Sequence, residues 1–358
     1  MLLCMVCLWG GMAASHANPP LRAWGYVVTW VPQGWRETPL NAFERLLFFD
    51  AQVAPNGRIE NTNGWPMRWS ALIAAAQVAG TPLDVTVTLL DAKTFRRIFG
   101  NDAAMQLLHD DIVQLAQLDA SAGIQLDVEV YEDIDDALWN RYQRWVQTLH
   151  TALTQLEPAR QLSVFFPVGG KRLLYGADTL AAVERVVMQG YDAHWPEGAT
   201  AGPVAPIDGP YAMTWKNGLK ILDRLGVPRE KALFSFPLYG YEWRVSPPRT
   251  PSKTVGKGTS TSFAPLAAPA RAAFPVSVQE RVDSAGASID AQSGSAHYRL
   301  HDKASGHWIE GWFEDWWSLY LKTDFLQRER VGGIAFFALG YDAGLLVNSM
   351  RLQPGGAP

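Results

Sequence analysis

The feature that most restricts how this chain can fold is a recurrence. Eight short runs rich in β-branched and aromatic residues, at 25–30, 45–51, 83–90, 123–130, 161–167, 186–191, 232–238 and 332–339, alternate with longer segments of helical pattern. The helical patterns fall at 69–79, 103–120, 136–156, 180–185, 215–225 and 313–328. Strands that alternate with helices pair as parallel neighbours through crossover connections. Eight such units predict an α/β fold, the (β/α)8 TIM barrel. A chain of 358 residues, 48% apolar and 18% charged, is large enough for that core and too apolar to stay disordered.

The spacing breaks once. About 90 residues separate the seventh run from the eighth, far more than an ordinary connection takes. Within the gap, 246–273 is rich in Pro, Ser, Thr, Gly and Ala and reads as loop, whereas 274–282, 296–301 and 307–311 read as short strands. The expectation is a small β-rich (α+β) insertion over about 244–311, between barrel strands 7 and 8, on the C-terminal face where loops carry function.

Residues 1–17 read as a signal peptide, with an apolar stretch at 2–9, small residues at 10–14 and a small-x-small site at Ser15-His16-Ala17. The mature domain would span 18–358, and the protein would be secreted or periplasmic. Both cysteines, Cys4 and Cys7, lie in that segment and leave the mature chain no thiol for a disulfide, a nucleophile or a zinc site. No later stretch approaches the roughly 18 uninterrupted apolar residues of a membrane span. A formal net charge of -4 supplies no positive field for phosphate backbones, which excludes nucleic acid as a partner. Metal-binding motifs are absent, no cofactor is expected, and a monomer is expected.

Chemistry concentrates on the fourth run. Side chains two apart on a strand share a face, so Gln125, Asp127 and Glu129 point one way while Leu126, Val128 and Val130 point the other. With the acidic face turned into the barrel, Glu129 stands near the C-terminal mouth and Asp127 one layer deeper. Two carboxylates buried side by side oppose joint ionisation, so one of them should hold a proton. A carboxylic acid kept neutral near pH 7 is what protonation of a glycosidic oxygen requires.

The segment Ala122-Gly123-Ile124-Gln125-Leu126-Asp127-Val128-Glu129 resembles the strand-four motif Asp-Gly-x-Asp-x-Asp-x-Glu of glycoside hydrolase family 18, the chitinase-like barrels, with Ala122 and Gln125 in place of the first two acids. Val187-Met188-Gln189-Gly190-Tyr191-Asp192 is similar to the family's strand-six Met-x-Tyr-Asp with one residue inserted. Residues 231–240, ending Pro237-Leu238-Tyr239-Gly240, resemble its strand-seven signature, and 310–342, with Trp312, Asp315, Ser318, Lys322 and the run 332–337, its last helix and strand. The insertion also falls where many members carry a small α+β subdomain.

The resemblance implies retention of configuration without an enzymic nucleophile. In that scheme Glu129 protonates the leaving oxygen and later activates water, Asp127 orients the substrate's own 2-acetamido group, and Tyr191 hydrogen-bonds the acetamide oxygen. The implied substrate is a glycan with N-acetylated sugars, of chitin or peptidoglycan type. Gln125 can donate a hydrogen bond to Asp127 but cannot share a charge with it, which leaves Asp127 free to stay ionised. Asp192 follows Tyr191 and is assigned to the sugar site, as is Tyr239. Among the fifteen tryptophans, Trp30, Trp65, Trp195, Trp243 and Trp312 fall at strand ends or in C-terminal loops, where indoles stack on sugars. Trp139, Trp145, Trp316 and Trp317 lie in helical patterns and read as packing, and Phe337 replaces the family's strand-eight Trp. His194 reads as a packing or surface residue. A catalytically weak or inactive carbohydrate-binding pseudoenzyme on the same barrel is the alternative reading, and Gln125 is the feature that favours it.

Overall fold

The computed structural model describes residues 21–350 except 171, 247–250 and 304, so the leader-like segment 1–17 with Cys4 and Cys7 lies outside the described residues. The first seven barrel strands are β1 (Arg22–Val28), β2 (Arg45–Val53), β3 (Leu83–Leu89), β4 (Gly123–Val128), β5 (Gln161–Phe166), β6 (Arg185–Met188) and β7 (Ala232–Pro237). The insertion contributes β8 (Tyr239–Val245), β9 (Thr259–Ser262), β10 (Ala296–Asp302) and β11 (His307–Phe313), and the chain returns to the barrel as β12 (Gly333–Phe337). All barrel pairings are parallel. Strand β1 closes the cylinder by pairing with β12 at Arg22↔Gly333 and with β2 at Trp24↔Arg45.

Alternation along the strands separates two environments. On β4, Ile124, Leu126 and Val128 are buried under the helical layer, while Gln125 and Asp127 point inward. The register Thr86↔Gln125 and Thr88↔Asp127 places two β3 threonines beside them, and Gln125↔Ser163 continues the layer onto β5. A polar layer therefore crosses the middle of the barrel, buried as completely as the apolar shell around it.

The outer helices are α1 (Ser70–Ala79), α2 (Ala92–Phe99), α3 (Asp102–Ala116), α4 (Asp136–Thr154), α5 (Ala177–Ala182) and α6 (Trp215–Arg224), with α7 (Val278–Ala285) in the insertion, then α8 (Trp316–Arg328) and α9 (Leu345–Ser349). Side-chain N-caps start several of them: Asp91 on α2, Asn101 on α3, Asp135 on α4, Thr214 on α6 and Asp315 on α8. Helix α2 escaped the periodicity reading because eight residues span barely two turns.

The insertion is a sheet of six strands in which β8 and β11 are central and antiparallel, with β9 and β10 outside them. Two expectations fail here. Residues 274–282 do not form a strand: only Val276–Ser277 pair with β9, and Val278 opens α7, whose apolar side meets Ala296, Tyr298 and Phe313 in a small second core. The segment 246–273 is not all loop, because β9 pairs there with β8. Both errors arise because short elements in an insertion take their conformation from sheet neighbours distant in sequence. The insertion is fastened to the barrel by a fully buried ion pair, in which Lys322 Nζ on α8 lies 2.5 Å from Glu314 Oε2 and donates to the Gly294 carbonyl.

Candidate active site

Barrel strands deliver side chains to the mouth, and four acids gather there without a cation among the described residues. Glu129 is the first residue beyond β4, and its N–H donates to the Leu89 carbonyl at 3.0 Å, so strand register persists through this position. Asp127 lies beneath it. Asp50, near the end of β2, accepts from the Thr88 hydroxyl at 2.6 Å and from the Asn63 amide at 3.0 Å. Asp192 has φ of 63°, a left-handed conformation that Asp tolerates better than most residues. Its Oδ1 accepts from the Tyr239 and Tyr241 hydroxyls, each at 2.8 Å. Among the described residues none of the four has a Lys, Arg or His ion-pair partner.

The electrostatic consequence is proton retention. Burial pushes the Asp127 carboxyl well above its usual range, and the charges of Glu129 and Asp50 push it further. Glu129 is raised by burial too, against the pull of a hydrogen bond from Tyr131. Burial likewise raises Asp192 against its two tyrosine bonds. Like charges in a low dielectric favour sharing protons over joint ionisation. Burial and mutual repulsion thus push all three carboxyls in the direction that retains a proton.

Gln125 behaves otherwise than expected. It does not bond Asp127: its Oε1 accepts from the Thr86 hydroxyl at 3.2 Å, while its Nε2 and the Asp127 Oδ1 have no partner among the described residues. Burial and the acidic neighbours also raise the Asp127 carboxyl, which opposes its ionisation.

Tyr191 is brought to the cluster. Its ring lies 5.8 Å from Phe337 and 5.7 Å from Tyr239, and burial together with Tyr26, Glu129, Asp127 and Asp192 raises its hydroxyl. Gly190, the extra residue of the strand-six motif, touches β7: a Cβ there would meet the Ser235 carbonyl oxygen at 2.0 Å. Its N–H donates to Ser235 Oγ at 2.9 Å and its carbonyl accepts from Trp215 Nε1 at 2.7 Å. A glycine is required to bring the chain that close before it turns Tyr191 to the mouth.

The aromatic residues divide. Phe337 meets Phe49 at 5.4 Å and Phe49 meets Trp30 at 5.9 Å, so a continuous aromatic floor runs from Tyr191 to Trp30. Trp30 opens onto a cleft of about 810 Å³ that is also lined by Gln33, Asn61, Asn63 and Arg68. Asn63 links this cleft to Asp50. Trp195 is 51% exposed on the loop after β6. Trp243 is not at the groove as expected: it is 1% exposed, enclosed beside Gly258 and Tyr241. Trp65 is buried against Phe48, and Trp312 is buried with Nε1 donating to Glu310. Trp316 and Trp317, expected to pack, instead stack on each other at the surface. His194 is a packing residue, buried with Nδ1 2.9 Å from the Pro203 carbonyl.

Residues 84–342 match the sequence family described as glycosyl hydrolases family 18. The chain belongs to that family. It is similar to Nod factor hydrolase protein 1 of Medicago truncatula, 24% identical over 280 residues that cover 73% of this chain and 69% of the relative. It is also similar to the putative sporulation-specific glycosylase YdhD of Bacillus subtilis, 27% identical over 300 residues covering 81% of this chain and 64% of the relative. Among solved structures, the family 18 chitinase of Cycas revoluta in complex with allosamidin superposes with a TM-score of 0.75 at 16% identity, covering 92% of this chain and 98% of that one. The spore cortex-lytic enzyme SleL of Bacillus cereus superposes with a TM-score of 0.69 at 18% identity, over 92% and 74%. Among the described residues of this family 18 barrel, no helix is long and apolar enough to cross a membrane.

Four residues of the site were not singled out from sequence. Asp50 is an acid within a strand otherwise buried and largely apolar, a signal as legible as that of Asp127. Tyr131 continues the alternation 125, 127, 129 by one step. Asn63 and Tyr241 carry no local signal, because only the closing of the barrel and the folding of the insertion bring them to the acids.

Proposed function

We propose that this protein hydrolyses β-linked glycans containing N-acetylglucosamine, with retention of configuration and with the substrate's acetamide as nucleophile. The observation that carries the reading is Glu129 at the barrel mouth above Asp127, in a cluster of acids that no cation among the described residues neutralises. Glu129 gives its proton to the glycosidic oxygen as that bond breaks, while the acetamide oxygen bonds to the anomeric carbon. Asp127 holds the acetamide N–H, and Tyr191 donates to its oxygen. Glu129, now a carboxylate, then takes a proton from water, whose oxygen displaces the acetamide and restores the original configuration. The aromatic floor and the cleft beyond Trp30 receive further sugars of the chain. The protein works outside the cytoplasm, a reading supported by the leader-like pattern of residues 1–17. The names of the two relatives, a hydrolase and a glycosylase, support cleavage of a glycosidic bond.

The test is turnover of chitooligosaccharides and of peptidoglycan fragments by purified protein, beside a binding measurement with the same ligands. Glu129→Gln should lose hydrolysis by at least about 100-fold while circular dichroism and binding stay unchanged. Undiminished turnover in that variant would falsify the assignment. Binding of the glycans by the unaltered protein with no cleavage would instead select the second reading, a carbohydrate-binding protein that has lost activity. The unpaired Gln125 amide beside Asp127 favours that reading, because the family's motif has an acid there.

A further inference from the structure

The side chain in direct contact with the proton donor is one that the strand-four motif does not include. Tyr131 lies in the loop that follows β4, and its hydroxyl donates to Glu129 Oε2. Its ring is placed from behind by the loop after β5: a Cβ on Gly169 would stand 3.1 Å from Tyr131 Cδ1. Gly170, with φ of 98°, passes so close that a Cβ would lie 3.2 Å from the Tyr131 Cα. Two cations hold the chain beyond it, Arg96 on α2 through Glu132 and the Asp133 carbonyl, and Arg172 through Asp136. The tyrosine is thus held from both sides although it is 41% exposed.

Resting on the hydrolase reading above, we propose that Tyr131 is the positioning residue of the acid, fixing which oxygen of Glu129 carries the transferable proton and stabilising the carboxylate left after transfer. The chemistry follows from the direction of the hydrogen bond. An oxygen that accepts from a phenol keeps its lone pair toward the donor, so the proton of the neutral acid resides on Oε1. When that proton leaves for the glycosidic oxygen, the Tyr131 bond becomes charge-assisted and strengthens. An interaction stronger in the transition state than in the ground state accelerates the step. Tyr131 keeps its own proton throughout, since burial and the charge of Glu129 push its hydroxyl far above the usual range.

The groups that face Glu129 are Asp127 below it on β4, Asp192 and Tyr191 from the loop after β6, Tyr26 on β1, and Tyr131. The acids among them oppose its ionisation, and among the described residues Tyr131 alone donates to its carboxyl. Removing that donor therefore raises the pH at which Glu129 releases its proton.

The experiment is Tyr131→Phe, which keeps the ring against Gly169 and Gly170. With an N-acetylglucosamine oligosaccharide, kcat should fall about 10- to 100-fold, the worth of one hydrogen bond to a charged group, with KM little changed. The alkaline limb of the kcat profile should move upward, because the donor must be protonated to act. A packing role alone would lower the amount of folded protein and leave that limb in place. Independently of activity, 13C NMR of protein labelled at glutamate Cδ, with the Glu129 signal assigned by its loss in Glu129→Gln, should show the carboxyl titrating at higher pH in Tyr131→Phe. An unmoved Glu129 titration overturns the proposal. A moved titration in a protein that cleaves no glycan retains the contact and rejects the hydrolase reading.

Discussion

Replacing Lys322 by Met tests how the insertion is held to the barrel. Both Lys322 and Glu314 have fully buried side chains, and the ammonium lies 2.5 Å from Glu314 Oε2. Without it, Glu314 retains only the Ser295 hydroxyl at 2.7 Å, and the Gly294 carbonyl loses its donor. Breaking a buried pair by removing one partner destabilises by roughly 3–5 kcal/mol. With an unfolding entropy of about 2.1 cal/mol/K per residue over roughly 330 residues, about 0.7 kcal/mol/K in all, that loss lowers Tm by about 4–7 °C. The effect should depend on pH. Burial already raises Glu314 to about 7 against the pull of Lys322, and in the variant that pull is gone. A carboxyl whose folded value is raised loses stability as pH climbs from its unfolded value toward its folded one, and loses none below the former. The gap between variant and unaltered protein should accordingly widen as pH climbs above 7, where only the unaltered protein ionises Glu314, and so be wide at pH 8.5 and narrow at pH 5. Adding Glu314→Leu should recover most of the loss, because a well-packed apolar pair is often as stable as a buried ion pair. Scanning calorimetry at the two pH values makes the measurement. A single variant within about 1 kcal/mol of the unaltered protein at pH 8.5, or a double variant no better than the single, would refute the view that this pair is the buried fastening.

Two further substitutions probe the mouth. Gly190→Ala should destabilise by about 2–3 kcal/mol and lower turnover, since its Cβ would meet the Ser235 carbonyl oxygen at 2.0 Å and the strain falls next to Tyr191; urea unfolding and a kinetic assay together check it, and a neutral result would mean that β6 and β7 separate easily. Gln125→Asp removes the unpaired amide and adds a carboxyl beside Asp127, so turnover should rise while stability at pH 7 drops by about 1–3 kcal/mol. An unchanged rate in that variant would show that Asp127 works without an acidic partner.

Much of this protein was legible in one dimension. Eight parallel strands, the interruption between the seventh and eighth, and the inward face of Gln125, Asp127 and Glu129 all follow from local periodicity, because a strand's two faces alternate whatever surrounds it. The motif around Tyr191 was equally readable, although the reason for Gly190 was not: it lies in the carbonyl of Ser235, forty-five residues away.

Tertiary structure alone decided which side chains share a proton and which tryptophans meet solvent. Asp50, Asp127, Glu129 and Asp192 come from two strands and a loop, and their mutual repulsion exists only once the barrel closes and removes water. Trp243 is enclosed and Trp316 exposed because burial depends on which faces the insertion covers, a non-local fact that hydrophobicity along the chain does not encode. Sequence determines which way a side chain points from its own strand. What stands opposite it, and hence its protonation and its chemistry, is determined by the strands that fold around it.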